Sequence, residues 1–414
     1  MALFYNIDMV VGYLGGLIGI PDHVPSRKLL WISFACLISS SFCYKSSSSW
    51  DADLFDASSL PEDLVEKKLV SLKPDILDIL DYHNTTFGDP ESAKRVKHFV
   101  LGYVTPWNNK GYDRAVKYAK KFTHICPVWL QVVPGSTAKV PFEVRGTHDV
   151  DQGWIGRLKE KNEELKIVPR VLLEGFDGRS LQTLMFDEEN AETFASVLIA
   201  TLQQYNLDGA VLEMWKPVNE DVYRRAMRNM IKIVADKLKS AGLQSILVVP
   251  PSGGQKTPGR LKNEDFLFLA DSIALFSVMT YDHPLTYSNA GPIAPLQWMV
   301  DSMESIATDK EKSKRKKLLL GLNHYGYDFT PKAGANAIVG TTFLEHLQKY
   351  QPTLEWDAVG REHVYKYRQE NTQHVVHFPS LRSLEERITL ANRLGTGVAI
   401  WDLGQGLDYF FDLL

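Results

Sequence analysis

The chain has 414 residues, enough for one large domain or two medium ones, and is 44% hydrophobic and 23% charged, the balance of a globular protein with a sizeable core. A formal net charge of -4 and the lack of a Lys/Arg stripe exclude nucleic acid as an expected partner. The one dense basic run, "KEKSKRKK" (310–317), precedes an apolar strand and reads as a solvated helix end or loop.

In chain order, Arg27 and Lys28 lead into "LLWISFACLISSSFC" (29–43), a basic flank, short apolar segment and small-residue exit of the kind found in secretory signals. The run is short of the roughly 20 residues of a membrane span, so no stable membrane insertion is expected. Residues 1–45 are read as a signal or anchor segment. Its removal leaves Cys126 without a partner, as a buried, inert thiol. Residues 46–95 read as a polar linker with a docking helix, "EDLVEKKLVSLKPDILDILDYH", and Asn84-Thr85-Thr86 is a glycosylation sequon in that stretch.

From residue 96 to 414 short apolar runs recur. They are "HFVLGYV" (98–104), "THICPVWLQV" (123–132), "KIVPRVLLE" (166–174), "LDGAVLEMW" (207–215), "SILVVPP" (245–251), "IALFSVMTYD" (273–282), "KLLLGLNHYG" (317–326) and "GVAIWDLG" (397–404). Amphipathic stretches such as 190–206 and 220–242 separate several of them. Continuous apolar strands alternating with helices predict a parallel sheet with its outer face covered, in a (β/α)8 TIM barrel or a doubly wound open sheet. No G-x-G-x-x-G follows the first strand, against a dinucleotide fold. Between strands seven and eight, "TLEWDAV", "EHVYKYRQ" and "QHVVHFPS" alternate like antiparallel strands and predict a small α+β insertion over about 327–380.

Chemistry in such barrels sits at the C-terminal ends of the strands. In strand four Val211, Glu213 and Trp215 share one face. Here "DGAVLEMW" resembles, without gaps, the D-G-x-D-x-D-x-E signature of glycoside hydrolase family 18, the chitinases and chitinase-like lectins. Asp208 and Gly209 match, Glu213 stands for the third Asp, and Trp215 stands where the family has its catalytic Glu. The resemblance implies a reaction in which the substrate's N-acetyl oxygen attacks the anomeric carbon and a carboxylic acid protonates the leaving oxygen. An indole has no such proton.

Other segments agree with the same family. "MTYD" places Tyr281 on the N-acetyl group and Asp282 on a sugar hydroxyl, "AIWDLG" places Trp401 at the floor of the central subsite, and "GYVTPWN" places Tyr103 and Trp107 near the mouth. Sugars stack their C–H faces on aromatic rings, so Tyr103, Trp107, Trp215, Tyr281 and Trp401, with Asp282, are the expected contacts. Trp215 either stacks a sugar or plugs the central subsite. The resemblance thus implies a secreted or lysosomal lectin for N-acetylglucosamine-containing oligosaccharides, with a scavenger receptor as a further partner. The alternatives are a slow glycosidase using Glu213, Asp282 or Glu174, and a protein-binding scaffold with a plugged groove. Neither metal nor cofactor is expected: His374 and His377 form H-x-x-H but face opposite sides of a strand. "PSGGQKTPGR" (251–260) departs from the phosphate-loop pattern and reads as the mouth loop after strand five.

Overall fold

The computed structural model describes residues 54–137, 140–216, 220–251 and 259–414. The signal segment, the start of the linker and most of the mouth loop 251–260 lie outside the described residues. The strands are β1 Val100–Val104, β2 His124–Pro127, β3 Leu130–Thr137, β4 Val140–Arg145, β5 Lys166–Ile167, β6 Arg170–Leu173, β7 Gly209–Glu213, β8 Gln244–Val249, β9 Leu275–Val278, β10 Leu318–Asn323, β11 Gly326–Thr330, β12 Gly334–Ile338, β13 Glu355–Asp357, β14 Glu362–Gln369, β15 Thr372–Phe378 and β16 Gly397–Trp401.

Parallel pairing runs from β1 to β2, β2 to β5, β3 to β6, and then through β7, β8, β9, β10 and β16. It returns to β1 with Val100 opposite Val398. The second position is divided between β2 and β3 across Val128-Trp129, and the third between β5 and β6 across Val168-Pro169. The curled sheet is TIM-barrel-like. Side chains two residues apart on each strand face its interior, so Leu101 and Tyr103, Val211, Ile246 and Val248, Leu319 and Ala399 join one buried cluster. It is a packed core, not a pore. Trp401 and Met279 lie against it.

The helices Glu188–Gln204 and Asp221–Ser240 cover strands as their apolar spacing requires. Asp187 caps the first by accepting from Glu189 N. The second is tied to the helix Asn263–Leu269 through Asp265, which is fully buried and accepts from Arg224 Nη1 at 2.6 Å and from the Lys262 backbone N–H. Removing one member of a buried ion pair leaves the other charge uncompensated. Asp265→Ala is therefore expected to destabilise the fold by about 3–5 kcal/mol, read as a fall in the urea midpoint at unchanged slope.

Between β10 and β16, β11 to β15 form a separate five-stranded antiparallel sheet in the order β12-β11-β15-β14-β13, with the helix Gly340–Tyr350. β13, β14 and β15 fall within the three alternating stretches; β11, β12 and that helix were not expected from the sequence. Nor was the hairpin of β3 with β4.

Residues 54–95, read as a polar linker with a docking helix, are not a spacer but part of the packed body. Leu54, Leu64, Leu69, Val70 and Ile79 are buried. Asp412 accepts from the Phe87 and Gly88 backbone N–H groups, and Arg95 pairs with Glu385. The polar residues that suggested a linker lie on two short helices that each bury one apolar side chain, Leu64 and Ile79. Asn84 is exposed, while Thr86 of its sequon accepts from Lys117. No helix of the described residues is long and apolar enough to cross a membrane.

Candidate functional site

The two matching residues of the strand-four motif are architectural. Asp208 lies at the entry to β7, where its carboxylate accepts from the Ile167 N–H at 2.8 Å and from Lys159 at 3.0 Å. Burial opposes its charge, but these bonds outweigh it and hold the carboxyl below the usual range. Gly209 has φ +153°, and a Cβ there would stand 2.1 Å from Gln244 O. Both pin the strand at the end away from the mouth.

At the mouth end the motif changes character. Trp215 is 4% exposed, and its indole N–H donates to Gly259 O at 2.9 Å. It is wedged into the wall beneath the fifth strand position, with almost no ring face left for a sugar, so its expected stacking role lacks an accessible surface. Glu213 Oε2 accepts from Arg170 Nε at 2.6 Å and lies 2.5 Å from Nη2 in an ion pair. Burial opposes the Arg170 charge, but the Glu213 carboxylate overrides it and raises the guanidinium above its ordinary value. Arg170 also lies 5.6 Å from the centre of the Trp401 ring.

Trp401 is the meeting point. It is half-buried, with the Tyr103 ring 5.3 Å away and the cluster of Ile293, Tyr325 and Tyr327 on another side. Tyr103 itself is 3% exposed and donates to Ser277 at 2.9 Å, so it supports the floor from within the core instead of contacting a ligand at the mouth as expected. Tyr281 packs against the same cluster, and burial pushes its hydroxyl pKa up. Asp282, at φ +60° directly after the sixth strand position, accepts from Tyr325 at 2.6 Å and Tyr327 at 3.1 Å. Burial raises its carboxyl above the usual range against the pull of those hydroxyls and of Tyr287. Trp107 is 56% exposed on the loop after β1. That loop is tied to the end of β16, where Thr105 donates to Asp402 at 3.0 Å.

The structure thus brings Glu213, Tyr281, Asp282 and Trp401 together, with Tyr103 beneath and Trp107 at the rim, and sets Asp208 and Gly209 apart. Glu174 is exposed. Burial lifts the Cys126 thiol well above its ordinary pKa, so it stays protonated. Among the described residues no group of three or more His, Cys, Asp or Glu is arranged to hold a metal ion. His374 pairs with Asp328, and His377 bonds Ala290 O. Sequence reasoning passed over Arg170. An arginine inside the apolar run "KIVPRVLLE" was the available signal, since a buried guanidinium needs a carboxylate across the sheet.

Comparison with known proteins agrees with this geometry. The sequence profile of glycosyl hydrolases family 18 matches residues 100–406, which spans the ring from β1 to β16. The chain belongs to glycosyl hydrolases family 18. Within the family it is 23% identical over 247 residues to the uncharacterized glycosylase YvbX of Bacillus subtilis (strain 168), covering 57% of this chain and 69% of that protein. Its fold is similar to that of a chitinase from Chromobacterium violaceum ATCC 12472, with TM-score 0.64 and 19% identity over 76% of this chain and 97% of that one. It is also similar to a family 18 chitinase from Cycas revoluta solved with (GlcNAc)3, with TM-score 0.60 and 14% identity over 76% and 97%.

Proposed function

We propose that this family 18 chain binds N-acetylglucosamine-containing oligosaccharides at the barrel mouth with little or no hydrolysis. One observation carries the reading. The position of the family's catalytic Glu holds Trp215, buried and hydrogen-bonded to Gly259, and Glu213 on the same strand is bonded through one oxygen to Arg170. Loss of positioned general-acid help costs typically about 10²–10⁴ in rate. Trp401 remains as a stacking floor, with Tyr281 and Asp282 beside it and Trp107 at the rim. The Cycas revoluta neighbour, solved with (GlcNAc)3, is consistent with such a ligand in this fold. The five-stranded sheet is read as an insertion that walls one side of the mouth, since Tyr327 of β11 reaches Asp282.

The finer assignments are part of the same proposal. They are entry to the secretory route through residues 29–43, glycan attachment at Asn84, a place near the stabilin-interacting, chitinase domain-containing branch, and a scavenger receptor as partner. A second reading, slow hydrolysis, is favoured by the raised Asp282 carboxyl. Titration with N-acetylglucosamine oligomers of increasing length, followed by tryptophan fluorescence and then mass spectrometry of the sugars, tests both. The expected result is a saturable change with sugars recovered intact. Shortened sugars that stay intact with Asp282→Asn establish the second reading instead. No response at millimolar sugar overturns both.

A further inference from the structure

The guanidinium of Arg170 uses only part of its hydrogen-bonding capacity. Its Nε and Nη2 both turn to one oxygen of Glu213, and Nη1 has no partner among the described residues. The Arg170 side chain is 16% exposed, and Nη1 is not among its fully buried atoms. The free end of a guanidinium presents two parallel N–H bonds in the geometry that matches a carboxylate. Lys216, three residues along the same chain from Glu213, is half-buried; burial lowers its amine pKa, with Glu213 working the other way and Arg170 adding to the lowering. Its amine has no ion-pair partner among the described residues. Two cations therefore lie near the one carboxylate that strand four keeps at its mouth end. The other acid nearby, Asp282, is occupied by tyrosine hydroxyls. Glu213 Oε1 is left as an acceptor that suits an amide N–H or a sugar hydroxyl.

We infer that the central subsite is specific for an acidic amino sugar, with the Nη1–Nη2 end of Arg170, assisted by Lys216, receiving a carboxylate substituent of the sugar stacked on Trp401. This rests on the reading of the mouth as an oligosaccharide site and specifies its substrate class. Arg170 cannot be replaced by Lys in this role, because an ammonium lacks the planar fork.

The probes are two tetrasaccharides with the same backbone. One is N-acetylglucosamine throughout; in the other alternate sugars carry a lactyl ether carboxylate, tested both free and as its methyl ester. Calorimetric titration of the full chain is expected to show the free acid binding at least tenfold more tightly than the neutral sugar, with the methyl ester falling to the neutral level. Arg170→Gln removes the preference. Glu213→Gln, which frees the guanidinium from its internal partner, enlarges it, and Lys216→Met reduces it. The opposite signs at Arg170 and Glu213 separate recognition from general damage. If Arg170→Gln fails to fold, the methyl ester and Lys216→Met still decide the matter. Equal affinities, or a neutral sugar that binds more tightly, overturn the inference and leave the oligosaccharide reading standing. If none of the three sugars binds, that reading fails and the inference fails with it.

Discussion

Trp401→Ala is expected to weaken binding of N-acetylglucosamine oligomers by at least about 2 kcal/mol, or roughly 30-fold in Kd. The ring is the one surface on which the inner cluster, the Arg170–Glu213 pair and the tyrosine cluster of the five-stranded sheet all converge. Its removal takes away a stacking face and the group over which the guanidinium is held. Trp107→Ala is the internal comparison. That side chain is 56% exposed, and a partly solvated rim contact is expected to cost under about 1 kcal/mol of binding. Isothermal titration of both variants, with circular dichroism to confirm folding, reads the difference. Equal losses in the two variants, or none in Trp401→Ala, would place the sugar elsewhere.

The second large effect concerns acid. His324 is buried between Phe410 and Phe411, and desolvation, helped by the Arg114 charge, lowers its pKa from 6.5 to about 3. His363 is buried as well, and burial lowers it to about 4 although its bond to Leu72 O works the other way. Both folded-state values lie below the unfolded one. As pH falls past about 6.5 the unfolded chain therefore takes up protons that the native chain refuses. Their contribution is complete above that pH and is lost down to about 4 for His363 and about 3 for His324, with a slope of about 2.7 kcal/mol per pH unit while both residues contribute. Urea unfolding at pH 7, 6 and 5 should show this loss. His324→Leu should halve the slope, and parallel pH dependence in the two proteins would refute the assignment.

Much of the barrel was legible because its signal is local. Each of the eight apolar runs carries its strand, and the helices Glu188–Gln204 and Asp221–Ser240 begin and end within two residues of the amphipathic stretches. β11 and β12 escaped because "GYDFTPKAGANAI" has small and polar residues where alternation would show, and its strands are defined by pairing, β11 with β15 and β12 with β11. The docking of residues 54–95 escaped for a similar reason: its partners, Glu385 and Asp412, lie about 300 residues away in the chain. At the site, Trp401, Tyr281 and Asp282 were singled out by segments at strand ends that resemble family motifs. The burial of Trp215 could not be, since nothing in "LEMW" shows that Gly259 will receive its N–H.

The pairing of Val100 with Val398 has a kinetic meaning. Among the described residues, the first strand of the ring waits for the last one before its outer hydrogen bonds are satisfied, so no fragment lacking β16 closes the ring. Until then β1 offers a bare, fully apolar edge to any other strand it meets, and contacts so distant in sequence form slowly. Yield on refolding should therefore depend steeply on protein concentration, with chaperones that shield single strands acting during synthesis of the C-terminal half.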